Sequence, residues 1–276
     1  MRITPFPPLD LPRILRVHTD RRVRRARATV VLLHGIGNTA AYWDTVEQQL
    51  PADVRIISID LLGFGDSPKP SSASYNLRIQ ARSVAMTLLT LGLTNRIIVV
   101  GHSMGSLIAV ELAKRYPLLV RGLVLCSPPI YRTAKERRGT FVNAEAILTD
   151  MYTKFGQDAS ANPARYVALA KAAASAKLAP PTFHLTDDTV MPYITALRAS
   201  IVDQSSFTDI QHLTTPTEII YGTFDPFVVV KNLKTIAKSR SDISLHSVLA
   251  SHEITKAYLR PIANCVRMIM GETATK

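Results

Sequence analysis

Uninterrupted apolar runs recur along the first half of the chain. Residues 28–33, 55–59, 97–100 and 122–126 are rich in β-branched side chains and show no polar alternation. This pattern is typical of strands buried on both faces of a sheet. Predicted helices separate these runs, and they cover residues from a Thr39 cap to Leu50, from about 76 to 91 and from 105 to 116. Strands that alternate with helices predict an α/β fold with a mostly parallel, doubly wound sheet.

The alternation stops at residue 130. From there to residue 204 the pattern is helical without a convincing strand, and it includes the alanine-rich stretch Ala164 to Ala179. Strand patterns return at 217–221 and 243–249, each followed by a predicted helix. A helical insertion above the carboxyl ends of the strands would cover the place where open α/β sheets bind ligands. We therefore predict a core made of residues 1–129 and 205–276, with residues 130–204 inserted as a helical cap.

Positive charge is concentrated near the amino terminus. The formal net charge is +12, and the excess is densest between Arg13 and Arg27. Residues 14–18 and a turn at Thr19 and Asp20 predict a short antiparallel hairpin at the sheet edge, where like charges prevent pairing with another chain. No zinc-finger spacing and no basic face interleaved with aromatic residues accompanies this charge, so we expect no nucleic-acid partner.

Composition narrows the class of protein. Apolar residues make up 47% of the chain and charged residues 20%. The first eight residues lack the apolar core of a signal peptide, and no apolar run has the length that spans a bilayer. We expect a soluble, cytoplasmic protein without a transmembrane segment, in which Cys126 and Cys265 are buried free thiols. The oligomeric state is left open.

The run that ends at Val100 leads into candidate chemistry. Gly101, Ser103 and Gly105 form the pattern G-x-S-x-G between a predicted strand and a predicted helix. Small residues on either side of the serine let strand and helix approach closely, while the serine adopts a strained conformation and exposes its hydroxyl. The alternative is a glycine-bounded loop whose serine only caps the helix.

A serine nucleophile needs a base, and the base needs an acid that fixes its tautomer. Asp225 follows the strand pattern at 217–221, and His252 follows the last strand pattern. The order Ser103, Asp225, His252 is the order that accompanies G-x-S-x-G. With His34-Gly35-Ile36-Gly37 after the first central strand and the loop from Asp60 to Ser67, the sequence resembles the α/β-hydrolase fold superfamily over nearly its whole length.

This resemblance implies an esterase- or lipase-like serine hydrolase that cleaves a small-molecule carboxylic ester through an acyl-enzyme, without metal or cofactor. By the resemblance, Ser103 is the nucleophile, His252 the general base and Asp225 the orienting acid. The amides of Ile36 and Met104 form the oxyanion hole. Lactone hydrolysis, carbon–carbon bond hydrolysis and perhydrolysis use the same constellation and stay open as alternatives. Serine at position 103 argues against the epoxide-hydrolase and haloalkane-dehalogenase branches of the superfamily, which have aspartate at the nucleophile position.

Some residues invite a second interpretation. Family members usually have glycine before the catalytic histidine, where this chain has Ser251, so His246 is an alternative to His252. His246 lies within a strand pattern and is expected to point to a sheet face, so His252 is preferred. Asp60 is interpreted as a loop-fixing carboxylate. Five further residues are candidates for either the substrate pocket or the core: Trp43, Ile130, Tyr131, Met191 and Phe227.

Two other functions are compatible with parts of the sequence. Gly35 to Ala40 also fits G-x-G-x-x-A, Asp60 ends the next strand as a ribose-binding acid does, and Tyr131 with Lys135 shows Y-x-x-x-K. These features suggest a nicotinamide-dependent oxidoreductase, which leaves Ser103, Asp225 and His252 without a role. The other rival is a non-catalytic relative whose pocket binds a ligand.

Overall fold

A parallel sheet forms the centre of the molecule. The computed structural model describes residues 10–137, 144–176 and 180–272. In these residues seven strands form one sheet in the order β1-β3-β2-β4-β5-β6-β7, and only the β1–β3 pair is antiparallel. The strands are β1 (Val17–Arg21), β2 (Ala28–Leu33), β3 (Val54–Ile59), β4 (Ile97–His102), β5 (Val120–Cys126), β6 (Thr217–Gly222) and β7 (Ile243–Val248). The predicted mostly parallel α/β sheet is confirmed.

Helices cover both faces of this sheet. Their bounds are α1 (Asp44–Glu47), α2 (Leu77–Thr90), α3 (Met104–Arg115), α4 (Ala144–Ala161), α5 (Pro163–Ser175), α6 (Val190–Ala196), α7 (Ser206–His212), α8 (Val230–Ser239) and α9 (Lys256–Met270). Alternate residues of one strand enter different cores. Val31 and Leu33 of β2 belong to the core that also contains residues of α2, α3 and α8, whereas Val30 and Leu32 belong to the core that contains Trp43 and residues of α9. Continuous apolar runs are therefore needed in the central strands, because both faces are buried.

Helices also fill the segment that the sequence predicts as an insertion. Between residues 130 and 204 the described residues contain α4, α5, α6 and a π-helical turn, Leu197–Val202, and no strand. Helix α5 accounts for most of the alanine-rich stretch, whose end at 177–179 lies outside the described residues, as do the first eight residues. The helical character agrees with the prediction. The function of the segment as a cap remains a proposal.

The predicted amino-terminal hairpin is wrong. Thr19 and Asp20 lie within β1, which pairs with β3 and not with β2. The carboxylate of Asp20 accepts hydrogen bonds from Arg55 of β3, at 2.8 and 2.9 Å. Pairing across to β3 thus makes a strand where local sequence suggests a turn. As predicted, this segment lies at the edge of the sheet. Arg22 and most of the arginines that follow it are exposed, also as predicted.

The predicted helix from Thr39 to Leu50 is also wrong. A 3₁₀ turn, Ala40–Trp43, leads into α1, which has a single turn, and the Thr39 side chain caps neither. The Asp60 carboxylate instead accepts the amide of Ala40 at 2.7 Å. A long-range contact therefore determines how this segment starts, and tertiary context overrides the local helical pattern.

Other predictions agree with the structure. Cys126 and Cys265 are buried free thiols. His246 points to a sheet face, where its Nε2 lies 2.6 Å from Oε2 of Glu218. Asp60 fixes a loop, since it also accepts the amide of Asp66 at 2.9 Å. None of the helices described here combines the length and the apolarity that crossing a bilayer requires.

Candidate active site

Ser103 occupies a sharp turn between β4 and α3. Its backbone has φ 52° and ψ −121°, a left-handed φ that non-glycine residues rarely adopt. The two flanking glycines are required by close backbone contacts. A Cβ at Gly101 would lie 2.4 Å from the carbonyl oxygen of Gly105, and a Cβ at Gly105 would lie 2.2 Å from that of Leu33. The G-x-S-x-G pattern thus holds a strained serine, and strain of this kind is concentrated at functional sites.

Three side chains from separate loops form a continuous hydrogen-bonded chain. Asp225 follows β6 and His252 follows β7, both at the carboxyl edge of the sheet where Ser103 lies. The Oγ atom of Ser103 is 3.0 Å from Nε2 of His252, and Nδ1 of His252 is 2.8 Å from Oδ2 of Asp225. The His252 side chain is 15% exposed and that of Asp225 is fully buried. This geometry allows His252 to accept the serine proton while Asp225 fixes the tautomer of its ring.

The carboxylate of Asp225 is stabilised as an anion. Burial acts to raise its pKa, but the hydrogen bond and charge of His252, the amide of Phe227 and the hydroxyl of Ser127 together hold that pKa below the usual value. The Phe227 amide donates to Oδ1 at 2.9 Å. Ser127, which also has a positive φ of 47°, lies 2.7 Å from the Tyr258 hydroxyl. Asp225 is therefore held ionised in a fixed orientation.

The two predicted oxyanion-hole residues flank the serine. Met104 is the first residue of α3, where the amide has no partner within the helix and the helix dipole is positive. Ile36 lines the same cavity as Ser103. A Cβ at Gly35 would lie 3.2 Å from Cβ of Ser103, so the loop after β2 packs directly against the turn that carries the serine.

Residues 182–184 from the helical segment are attached to this loop. The amide of His184 donates to the carbonyl of Gly37 at 2.8 Å, and the Thr182 hydroxyl donates to Oδ1 of Asn38 at 3.0 Å. The ring of Phe183 packs on Gly37, where any Cβ would lie 2.4 Å from it. The conformation of the loop beside Ser103 thus depends on contacts from the helical segment.

Two stacked rings support the loop that carries His252. The rings of Tyr42 and His102 are stacked with centroids 5.0 Å apart. Nε2 of His102 lies 2.9 Å from the carbonyl oxygen of His252, and the Tyr42 hydroxyl donates to Glu253 at 2.7 Å and accepts the amide of Ile254 at 2.8 Å. Burial and the neighbouring His252 lower the pKa of His102 to about 3. His102 is therefore neutral near pH 7 and acts as a hydrogen-bond donor.

Sequence patterns give no signal for this support. Tyr42 lies in an apolar stretch, and the position of His102 next to Ser103 in the sequence does not indicate a contact with the loop that carries His252. Likewise, nothing in the sequence relates Ser127 and Tyr258 to Asp225, because those contacts depend on side chains that meet only in the folded molecule.

A small cavity opens beside the serine. Its volume is about 160 Å³. Of the five residues considered for it, only Phe227 lines it; Trp43, Ile130 and Tyr131 are buried core, and Met191 is exposed. Most of the other walls are apolar or aromatic and come largely from the helical segment: Pro129, Tyr152, Phe183, Tyr193, Leu197 and Ile201.

The features that suggest a nicotinamide cofactor have other functions in the structure. The carboxylate oxygens of Asp60 accept backbone amides, one each from Ala40 and Asp66. The hydroxyl of Tyr131 donates to the carbonyl of Phe227 at 2.7 Å and is buried. These groups hold loops in place.

Comparison with known families agrees with the fold. Residues 28–254 match the model of the alpha/beta hydrolase fold family. The chain belongs to this family. The match begins at β2 and extends past His252, so it includes every strand except β1.

Solved structures of alpha/beta hydrolases share the same architecture. An α/β-hydrolase enzyme from a Medee basin deep-sea metagenome library has a TM-score of 0.73 with 18% identity, over 95% of this chain and 96% of that one. An esterase from Exiguobacterium antarcticum has a TM-score of 0.71 with 18% identity, over 89% of this chain and 92% of that one. At these identities the similarity shows the shared fold alone.

Sequence relatives match over a shorter stretch. A protein of Arabidopsis thaliana named "Probable lysophospholipase BODYGUARD 3" is 35% identical over 114 residues, which is 40% of this chain and 23% of that protein. An uncharacterized protein of Mycobacterium tuberculosis is 36% identical over 114 residues, 40% of this chain and 33% of that one. The chain thus spans only a quarter to a third of the length of these two curated relatives.

Proposed function

We propose that this alpha/beta hydrolase cleaves carboxylic esters by acyl-enzyme chemistry, with Ser103 as nucleophile. The observation that carries the proposal is the hydrogen-bonded chain from Asp225 through His252 to Ser103, at a strained turn next to two candidate oxyanion donors. The sequence relative named as a probable lysophospholipase supports an ester as the substrate class.

Each residue has a distinct part in the proposed reaction. Ser103 Oγ attacks the ester carbonyl while His252 takes the hydroxyl proton, and Asp225 stabilises the imidazolium that forms. The amides of Ile36 and Met104 donate to the oxyanion. His252 then protonates the leaving alcohol, and water, activated by the same imidazole, releases the carboxylic acid and restores the Ser103 hydroxyl.

A panel of substrate classes tests the proposal. The purified chain is assayed with p-nitrophenyl esters, lactones, and a ketone substrate for carbon–carbon cleavage. We expect kcat/KM to be highest for the esters. Turnover of the lactones or the ketone alone would assign the residues to a different hydrolysis, and no turnover in any class would favour a non-catalytic relative.

We propose further that the helical segment acts as a cap and limits the acyl chain. A cavity of 160 Å³ is about the volume that holds one benzene-sized molecule and is smaller than most ligand pockets. We therefore predict that p-nitrophenyl acetate and butyrate are hydrolysed with kcat/KM at least about tenfold above the octanoate, since an extra methylene in a filled pocket costs roughly tenfold or more.

Leu197→Ala tests that limit. Leu197 is buried and lines the cavity, so the truncation is expected to raise the ratio of octanoate to butyrate hydrolysis by about tenfold. Leu185→Ala is the matched control, because Leu185 is buried in the same segment but does not line the cavity. An equal change in the ratio for both variants would contradict the assignment of the cap.

The support beneath His252 gives a separate prediction. Tyr42→Phe keeps the ring on His102 but removes the hydroxyl that contacts Glu253 and Ile254. A hydrogen bond to a charged group contributes about 1.5–3 kcal/mol, so kcat is expected to fall between roughly tenfold and a hundredfold, with KM little changed. Tyr166→Phe is the control, because that hydroxyl contacts Asp158 on α4. A change in KM alone would show that the hydroxyl does not position His252.

A further inference from the structure

A second cluster of reactive side chains lies apart from Ser103. Glu218 of β6, His246 of β7 and Cys265 of α9 place a carboxylate oxygen, an imidazole nitrogen and a sulfur all within 4.8 Å of one another. The three side chains lie on the sheet face that α9 covers, and none of them contributes to the proposed reaction. They come from three separate elements, so no short motif in the sequence reveals them.

Glu218 and His246 are polar side chains on a sheet face whose neighbouring positions are apolar. On the same face, Ile220 of β6 and Val248 of β7 are buried apolar residues. Glu218 has a side chain only 13% exposed, and its Oε2 lies 2.6 Å from Nε2 of His246. A carboxylate placed beneath a helix is costly unless it is paired or coordinates a metal. The His246 side chain is 33% exposed and leaves a route from solvent.

We propose that Glu218, His246 and Cys265 bind a divalent transition-metal ion of the zinc class. One sulfur, one nitrogen and one oxygen donor form a set that Zn²⁺ and Co²⁺ accept, whereas Mg²⁺ and Ca²⁺ prefer oxygen ligands alone. Bond lengths near 2.0–2.3 Å place donors of a tetrahedral site less than about 4 Å apart, so small rotations of these side chains complete the geometry. Water takes the fourth position.

Binding of the ion releases protons from the side chains that it contacts. Burial raises the pKa of the Cys265 thiol, so the sulfur is protonated before the ion enters. The ion forms a bond to sulfur and the thiol proton is released to solvent. The ion also replaces the hydrogen bond between His246 and Glu218. The proton that Nε2 donates in that bond leaves to solvent and Nδ1 holds one taken from solvent, so the bound imidazole is neutral. Oxidation states do not change.

Binding has a structural consequence. The ion joins the last two strands, β6 and β7, to the last helix, α9, and β7 is an edge strand of the sheet. An ion that binds the folded chain but not the unfolded one raises the free energy of unfolding with its concentration. The site is thus expected to stabilise the carboxyl-terminal part of the fold independently of the chemistry at Ser103.

Cobalt provides a direct probe. The full chain is dialysed against a chelator, returned to metal-free buffer and titrated with Co²⁺ while absorbance is recorded. We expect one equivalent to produce a thiolate-to-cobalt charge-transfer band, which Zn²⁺ then removes. The band is expected to be absent in Cys265→Ser and retained in Cys126→Ser, the matched control that removes the other buried thiol.

A third variant covers the case in which Cys265→Ser does not fold. His246→Asn changes a partly exposed side chain and is expected to raise the Kd for Co²⁺ by more than about tenfold, the loss that removal of an outer-shell partner alone produces. Absence of the band in the wild-type chain, its persistence in Cys265→Ser, or an unchanged Kd in His246→Asn would each overturn the proposal. None of these readouts depends on hydrolysis, so the metal site and the proposed esterase activity succeed or fail separately.

Discussion

Ser103→Ala is expected to lower kcat for p-nitrophenyl butyrate about 10⁶-fold, the effect of removing the nucleophile from a serine triad. The substitution deletes the oxygen that we propose forms the acyl-enzyme, and within the described part of the chain no other hydroxyl is hydrogen-bonded to the His252 ring. KM is not expected to rise, because the cavity walls and the oxyanion donors are unchanged. Steady-state kinetics on the purified variant measures both quantities.

Ser106→Ala is the matched control for this variant. Ser106 lies close by, near the start of α3, but its hydroxyl donates to the carbonyls of Gly101 and Cys126, at 2.8 and 3.2 Å. Its loss is expected to cost stability of about 1 kcal/mol and to leave kcat within roughly tenfold. Hydrolysis that survives in Ser103→Ala at more than a few per cent of wild type would remove Ser103 from the reaction.

His252→Asn is expected to have an effect of the same size, about 10⁶-fold in kcat, since nucleophile and base act as one unit. Asparagine cannot take the proton of Ser103 at neutral pH. His246→Asn is the matched control, because His246 lies in β7 and contacts Glu218. It is expected to retain hydrolysis within roughly tenfold. The two variants are compared by single-turnover kinetics, which separates acylation from release of the acid.

The reverse result would contradict the assignment. Loss of hydrolysis in His246→Asn with activity kept in His252→Asn would make His246 the base. The double variant of Ser103 and His252 supplies a further check: because both act on one step, it is expected to be no slower than either single variant.

The central strands could be predicted from the sequence because of how they are buried. Residues 97–100 and the other apolar runs must fill two cores at once, so few polar residues are tolerated and the pattern is unambiguous. The order of Ser103, Asp225 and His252 was informative for a related reason. Each follows a strand, and the carboxyl ends of parallel strands meet at one edge of the sheet.

The amino-terminal elements could not be predicted because distant partners determine them. Asp20 extends a strand by pairing with Arg55 on β3, although local sequence favours a turn. The amide of Ala40 donates to Asp60, and the hydroxyl of Tyr42 accepts the amide of Ile254 in the loop after β7. Residues 40–43 therefore form a tight turn where their composition favours a helix. Register and long-range hydrogen bonds of this kind leave no periodic signal in the chain.

The supporting residues of the site were missed for the same reason. Tyr42 contacts residues 253 and 254, more than two hundred positions away. Ser127 lies beside Asp225 only because β5 and β6 are neighbours in the sheet. The candidate catalytic residues follow a known pattern, whereas the positions of the residues that support them depend on packing.

Covalent labelling by a fluorophosphonate is the most direct test that Ser103 is an activated nucleophile. The reagent phosphonylates a serine whose proton is taken by a neighbouring base, and peptide mapping by mass spectrometry locates the adduct. We predict one adduct on the wild-type chain, located on Ser103, and none on His252→Asn. A wild-type chain that remains unlabelled, or one labelled at another residue, would contradict the account.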